Sequence, residues 1–530
     1  MRFFNTAGPV RCQEHYCLPP LQRFNLPEIL SLIAQKKYFV LHAPRQTGKT
    51  TCLLALMDYI NSQNTHRALY INVEGAQGAR EDVSRGIRAI LLQMATRAQD
   101  HLGDSFLIQK LPKTFEECGE DAALEILLSS WSKSSPKPIV LLIDEIDSLV
   151  GDTLISVLRQ LRSGYDKRPV GFPSTVVLCG VRDVRDYRIH TDQGKTVITG
   201  GSCFNIKAES LRLGNFSRPE VEALYRQHTD ETGQAFEAAA LAKAWGLTSG
   251  QPWLVNALAY EACFKMPDGR DRSSPISCEM IVQAKERLIT RRETHLDQLA
   301  DKLREERVRR VIEPLLSGTE KPSQIPEDDV QYVADLGLVT TEGQLRIANE
   351  IYREVIPRAL TYTTQITIAQ EPAWYVLSDG RLDLARLLEA FQQFFREHSE
   401  SWIERFDYRE AGPQLLMQAF LQRIVNGGGR VEREYGLGRG RTDLLVVWPY
   451  PGGVQRAVIE LKLLQRSRAA TVREGLAQVR GYADRCGADE AHLVIFDRTP
   501  GKPWSRKIFK KSEALASPEG KLQSVGIWGM

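Results

Sequence analysis

Nowhere in the 530 residues do about 18 apolar side chains run uninterrupted, the length a membrane-crossing helix requires, so no membrane partner is expected. The opening MRFFNTAGPVRCQEHYCLPP lacks an apolar core of signal-peptide length, and the cytoplasm is the expected compartment. Charge of one sign is also lacking: 69 Lys and Arg against 66 Asp and Glu leave a net +3. That balance excludes a surface that is basic all over and confines any nucleic-acid site to a local patch. With 42% hydrophobic and 25% charged residues, nothing in the composition signals disorder. The nine cysteines are odd in number and follow no repeating interval, which argues against a disulfide framework and for a reducing compartment. Cys12, His15 and Cys17 are spaced closely enough for zinc, but no second ligand pair occurs at a zinc-ribbon interval, so packing or solvent contact is the expected role.

The length is too great for one core and, at roughly 150 residues per domain, implies three or four. In YFVLHAPRQTGKTTCLLALMDYI, Tyr38 to His42 read as a buried strand, followed by a loop and a helix with apolar residues at 53, 54, 56, 57 and 60. Ala43, Pro44, Arg45, Gln46, Thr47, Gly48, Lys49, Thr50 and Thr51 have phosphate-loop spacing, with Ala43 where a first glycine is usual. Backbone N–H groups at the helix start are expected to cradle phosphates, Lys49 to reach the β and γ oxygens, and the Thr50 hydroxyl to bind Mg²⁺. PIVLLIDEIDSL supplies a second buried strand, Ile139 to Ile143, that ends in acids. Asp144 is expected to hold Mg²⁺ and Glu145 to polarise the attacking water; Asp147 reads as a helix N-cap or a surface acid. A third apolar strand, STVVLCGVRD, ends at Arg182, whose guanidinium suits γ-phosphate sensing; a surface arginine in a basic turn is the alternative.

These residues resemble the AAA+ and STAND groups of P-loop ATPases over about residues 30 to 290. Gly250-Gln251-Pro252, entering an amphipathic helix, looks like the glycine-x-proline element of those groups' helical lid, although a turn before a helix accounts equally well for a tripeptide taken alone. The resemblance implies ATP as cofactor and a homo-oligomer formed through the ATPase domain. It does not choose an arginine finger among Arg159, Arg162 and Arg168.

Residues 327 to 360 read as a helix, a turn at Gly337, a short strand, Glu342-Gly343, a second strand and another helix, resembling the winged-helix modules that succeed the lid in these ATPases. Arg346, Arg353 and Arg358 stand against Asp328, Asp329, Asp335, Glu342, Glu350 and Glu354, a balance that favours packing over direct DNA reading. Leu384, Leu387, Leu388, Phe391, Phe394 and Phe395 share one helical face, expected to be core in a helix joining the ATPase to the C-terminal region.

Near the far end, GRGRTDLLVVWPYPGGVQRAVIELK places Asp443 at the start of one apolar strand and Glu460 with Lys462 at the end of the next, joined by the turn PYPGG. Two carboxylates and a lysine on alternating strand positions can bind a divalent ion and direct water at a phosphodiester; Lys462 would orient the nucleophile and offset developing negative charge. Burying such groups without a use costs several kcal/mol. The pattern resembles the PD-(D/E)XK nuclease superfamily over about residues 405 to 530, with Thr442 where its proline would stand. Gln478 and Tyr482, one helical turn apart, look like the Q-x3-Y element of the RecB-like branch. A further acid is expected at Glu410, or alternatively Glu434, while Arg439 and Arg441 are candidates either for the nucleic-acid backbone or for pairing with nearby acids.

The expected fold class is a multidomain α/β chain: a parallel-sheet P-loop ATPase core (1–205), a helical lid (206–288), a winged helix (289–362), a linker helix (363–404) and a restriction-endonuclease-like α/β domain (405–530). The expected activity is cleavage of nucleic acid, DNA in the first instance, with Mg²⁺ or Mn²⁺ under ATP control; fusions of this kind suggest phage defence, mobile elements or repair by analogy of architecture. The rival reading is a STAND-like switch whose C-terminal module only binds nucleic acid.

Overall fold

The computed structural model describes residues 1–183, 188–190, 197–199, 204–291, 294–317, 325–360, 375–403, 416–418, 420–421, 429–434, 443–464, 467–497, 499, 502–516 and 522–530. The chain divides into two compact units, one comprising Met1–Arg291 with Ala334–Gly337 and the other Arg292–Val333 with Leu338–Met530.

In the first unit five parallel strands lie in the order Arg67–Asn72, Ile139–Asp144, Thr175–Gly180, Tyr38–His42, Lys207–Arg212. Their near-continuous apolar runs result from burial on both faces. Alternate residues (Val40, Leu69, Ile71, Leu141, Ile143, Leu178) meet the helices Val83–Leu102, Glu120–Ser134 and Gly151–Ser163. The intervening ones (Phe39, Leu41, Val140, Leu142, Val177, Cys179) meet the helix Lys49–Ser62. The strand Lys207–Arg212 pairs with Tyr38–His42, so the sheet runs past the expected core boundary at 205. Helices come next, the first of them, Arg218–Thr232, opened by a capping box between Ser217 and Glu220. Its His228 is buried in an aromatic cluster with Phe4, Tyr16 and Phe264, which fastens the first residues of the chain to these helices. In that segment Cys12 and Cys17 form a disulfide, where packing or solvent contact was expected; a six-residue loop folded back on itself, with Phe3 bridged to His15, brings the two together.

The second unit begins with the helices Thr294–Lys302, Glu306–Ser317 and Glu327–Asp335, the last shared with the first unit at its end. Val339–Thr340 pairs with Arg346–Ile347, and the helix Glu350–Leu360 comes after it. This is the helix, hairpin and helix order expected from Gly337 and Gly343, both at positive φ. The cations here are largely committed: Arg307 and Arg310 pair with Asp329, and Arg353 with Glu350.

A six-stranded mixed sheet completes the unit, in the order Arg430–Glu434, Asp443–Tyr450, Gly453–Leu463, Glu490–Phe496, Leu522–Gly529, Phe509–Ala516. The first three strands are an antiparallel meander; the helix Arg468–Cys486 then crosses over to a parallel partner. That helix covers one face through Leu476 and Val479, packed against Leu493 and Ile527. The apolar stripe expected in a joining helix lies against this same sheet: Phe391 and Phe395 meet Phe496, and Gln392 donates to the Gly529 carbonyl at 2.7 Å. Six large apolar side chains on one helical face need a partner surface, and the sheet provides it.

His295, on the first helix of the second unit, is buried with its Nε2 2.5 Å from the Tyr352 hydroxyl, and burial lowers its pKa to about 4. The unfolded chain, with histidine near 6.5, therefore binds the proton first; stability conferred by neutral His295 is complete above about pH 6.5 and falls as the pH drops toward 4. Hydrogen-exchange protection of 294–302 and 350–360 is expected to decline over that window in the wild type and to lose most of the dependence in His295→Gln.

Candidate functional site

The nucleotide site stands at the carboxyl ends of the parallel strands, where open α/β sheets bind ligands. Gly48, at φ +93°, turns the loop into the helix Lys49–Ser62, a conformation other residues adopt with strain. Lys49 is buried, its Nζ 2.9 Å from the Ala43 carbonyl and 3.1 Å from that of Pro44. Arg23 braces the loop from outside, donating to the Thr47 and Gly214 carbonyls at 3.2 and 2.7 Å. Arg45 and Gln46 are exposed at the tip, whereas the Thr51 hydroxyl accepts from the Val10 amide at 3.0 Å.

Asp144 is fully buried. Its Oδ2 accepts from the Thr50 hydroxyl at 2.6 Å and from the Tyr70 hydroxyl at 3.0 Å, and its Oδ1 from the Glu145 amide at 3.0 Å. A hydroxyl and a carboxylate already in contact at the foot of a phosphate loop suit a hydrated Mg²⁺, so Thr50 and Asp144 fit the expected pair. Glu145 adopts left-handed backbone angles, φ 58° and ψ 38°, strain of a kind that collects at functional positions. Burial, then the nearby Asp147 carboxylate, raises its pKa above the usual carboxylate value. Asp147 itself accepts from the Val181 amide at 3.3 Å, tying the acidic turn to the neighbouring strand end.

Arg182, the expected γ-phosphate sensor, lies on that strand end with its Nε 3.8 Å from the Oδ2 of buried Asp335, in the segment Ala334–Gly337 of the same unit. Arg168 stacks 3.4 Å from the Tyr165 ring centre and donates to the carbonyls of Tyr165 and Lys36. Between the loop and the helix Pro252–Tyr260 lies a cleft of about 120 Å³. Gln46, Thr47 and Gly48 form one wall and Pro252, Trp253 and Asn256 another, with Thr6 to Gly8 beside them. Trp253 donates to the Thr6 carbonyl at 2.9 Å. Of Gly250-Gln251-Pro252 the proline lines the cleft; the Thr6 to Val10 strap and Tyr70 carry no motif, and the sequence does not mark them.

In the second unit Glu460 and Lys462 are both buried at about 1% side-chain exposure, with Lys462 Nζ 2.6 Å from Glu460 Oε1. The Gln478 side-chain oxygen accepts a further bond from Lys462. Tyr482, one turn on, packs with Leu445, Val447 and Val458. The backbone register pairs Leu444 with Ile459 and Glu434 with Asp443, so one step beyond the first pair Asp443 stands opposite Glu460. Glu434, Asp443 and Glu460 therefore occupy neighbouring positions on three adjacent strands. The side chains of Asp443 and Glu434 lie outside the described residues, as do Glu410, Arg439, Arg441 and Thr442. Among the described residues no three His, Cys, Asp or Glu side chains gather as a metal cluster.

Tyr70→Phe removes one of the two hydroxyls on Asp144 while keeping the ring. It is expected to weaken Mg²⁺-dependent nucleotide binding by roughly three- to tenfold, the scale of one hydrogen bond to a charged group, and to leave metal-free binding nearly unchanged, measured by titration calorimetry with and without Mg²⁺.

The family described as Nephrocystin 3, N-terminal, matches residues 24–172, the segment that holds the phosphate loop and Asp144. No curated protein matches the sequence. Among solved structures, the Walker-type ATPase PABY2304 of Pyrococcus abyssi superposes with a TM-score of 0.45 at 13% identity, over 67% of this chain and 99% of that one. Cdc6p of Pyrobaculum aerophilum gives 0.35 at 15%, over 66% and 95%, and RuvB of Thermotoga maritima 0.33 at 14%, over 63% and 94%. These likenesses are loose; the phosphate loop and the parallel sheet that carries it make the first unit an α/β P-loop core.

Proposed function

We propose that the chain is an ATP-binding and ATP-hydrolysing, Mg²⁺-dependent nuclease acting on DNA, with cleavage or assembly governed by the nucleotide site. The observation that carries this reading is the Glu460–Lys462 pair, buried at the end of a strand, held by Gln478 and opposite the position of Asp443 across the hairpin. A lysine ammonium and a carboxylate buried together, with a second acid one strand away, fit a phosphodiester site better than a packing role, because the desolvation of two charges costs several kcal/mol that apolar residues would avoid.

In this reading a divalent ion, Mg²⁺ or Mn²⁺, held by Asp443 and Glu460 supplies a polarised water and a clamp for the phosphoryl oxygen. Gln478 fixes the Lys462 ammonium where negative charge develops in the transition state, and Tyr482 anchors the helix that carries Gln478. Glu410 or Glu434 supplies a further acid, and the register beside Asp443 favours Glu434. At the first site Lys49 binds the β and γ phosphates, Thr50 and Asp144 hold Mg²⁺, Glu145 takes the proton of the attacking water, and Arg182, once released from Asp335, meets the γ-phosphate. The domain scheme is retained as proposed, with the sheet of the ATPase core carried to Arg212 and the helix Leu384–Ile403 counted with the nuclease sheet. A cytoplasmic location and a homo-oligomer through the ATPase unit belong to the same proposal.

The test is a cleavage assay on linear, circular and single-stranded DNA and on RNA, with Mg²⁺ or Mn²⁺ and with ATP or a non-hydrolysable analogue. Asp443→Asn is expected to lower cutting by about a hundredfold or more, the scale of removing one electrostatic interaction at a reacting centre, with ATPase activity intact. Lys49→Ala is expected to abolish ATP binding and change the cutting rate; identical cutting by Lys49→Ala with and without ATP would contradict coupling. A wild-type protein that cuts none of these substrates would leave the nucleotide switch with a nucleic-acid-binding module.

A further inference from the structure

Between Lys502 and Lys511 the chain places five lysines and arginines in ten residues, with no acid among them, in a protein whose overall charge is only +3. The topology gives this segment a definite address. The strands Gly453–Leu463, Glu490–Phe496 and Leu522–Gly529 run parallel, and Leu463 pairs with Phe496, so their carboxyl ends share one end of the sheet. Asp443–Tyr450 and Phe509–Ala516 are antiparallel to their neighbours and begin there. Glu460, Lys462, the start of the Asp443 strand and the segment Trp504–Phe509 thus all lie at that one end. Phe509–Ala516 is the edge strand, three positions from Gly453–Leu463, which at about 4.8 Å per strand sets the basic segment about 14 Å to the side of the Glu460–Lys462 pair.

The side chains divide by what holds them. Lys502 pairs with Asp497, and Lys510 pairs with Glu389 and lies 4.7 Å over Trp528. Arg506 and Lys511 are exposed and Lys507 partly so, and none of the three forms an ion pair among the described residues. Arg468, exposed at the start of the crossover helix, donates to the Arg506 carbonyl at 2.9 Å and lies 4.3 Å over the Phe509 ring; Lys507 lies 5.1 Å from the Trp504 ring centre. Trp504 in turn meets Phe395 edge-on at 5.9 Å. Rings that hold two of the cations in place reduce the entropy these long side chains lose on binding, and cations without carboxylate partners are free to replace counterions on a polyanion.

We infer that Arg468, Arg506, Lys507 and Lys511 form a ridge that binds the phosphate backbone of a nucleic-acid strand and leads it to the Glu460–Lys462 site. The inference rests on the nuclease reading for the direction in which the strand runs, while the binding itself is independent of cleavage. Because phosphates are the contacts and the nearby rings are already covered by cations, the ridge accepts any base sequence.

The test is fluorescence anisotropy with the full-length protein and one labelled oligonucleotide offered as single-stranded DNA, duplex DNA and RNA, in EDTA so that nothing is cut. The triple variant Arg506→Glu, Lys507→Glu, Lys511→Glu is expected to bind at least tenfold more weakly at low salt, and the slope of log K against log salt to shrink by about two to three, near one for each phosphate deprived of its cation. Circular dichroism checks that it folds. The matched variant Lys113→Glu, Arg226→Glu, Lys243→Glu, which makes the same charge change on exposed helices of the first unit, is expected to bind like the wild type. Equal weakening by both variants, or none by the first, overturns the ridge. The three oligonucleotides distinguish the source of the phosphates: the form bound most tightly through the ridge is the form it serves. If the ridge variant binds normally while the wild type cuts, this inference fails and the nuclease reading stands; if binding depends on the ridge in a protein that cuts nothing, the nuclease reading fails and the ridge stands.

Discussion

The structure of the second unit is organised around one costly contact, the ammonium of Lys462 against the carboxylate of Glu460 in a sheet whose buried residues are mostly apolar. Two charges taken out of water are compensated only by close geometry and further hydrogen bonds. The Gln478 oxygen provides one such bond, and to deliver it the crossover helix must lie over this strand in one register. Tyr482, Val479 and Leu476 then fill the space that the register defines. Polar need and apolar packing thus select the same helix position.

The first unit solves a similar problem differently. Asp144 is as deeply buried as Glu460, yet neutral hydroxyls from Thr50 and Tyr70 satisfy it rather than a lysine. Lys49 is satisfied by loop carbonyls. The ammonium and the carboxylate there have separate partners, whereas Glu460 and Lys462 are in direct contact, with Asp443 on the next strand. Both buried carboxylates lie where strands end.

Much of this was legible in the sequence because short-range patterns encode it. The phosphate loop, the strand Ile139–Asp144 with its terminal acids, the paired strands after Gly337 and the hairpin through PYPGG all rest on local periodicity and turn residues, and each stands where those patterns place it. What could not be read depends on partners distant in the chain. Tyr70 is one more aromatic in a buried strand until Asp144 is placed beside it. The strap Thr6 to Val10 gains its role from Trp253 and Thr51. The Phe391 stripe declares that a surface must cover it without saying which. The spacing of Cys12 and Cys17 is equally compatible with free thiols, and only the fold of the loop brings the sulfurs together. Glu410 falls outside the described residues, so the sequence still carries that assignment alone.

Whether Asp443 and Glu460 share one divalent ion decides the function proposed for the second unit. Crystals of the full-length protein soaked in Mn²⁺ and measured at the manganese absorption edge test it directly. The predicted result is an anomalous peak within coordination distance, about 2 to 2.3 Å, of a carboxylate oxygen from each residue, absent from crystals of Glu460→Gln. A wild-type map with its only manganese at Thr50 and Asp144, and the two C-terminal carboxylates turned away from each other, would contradict it.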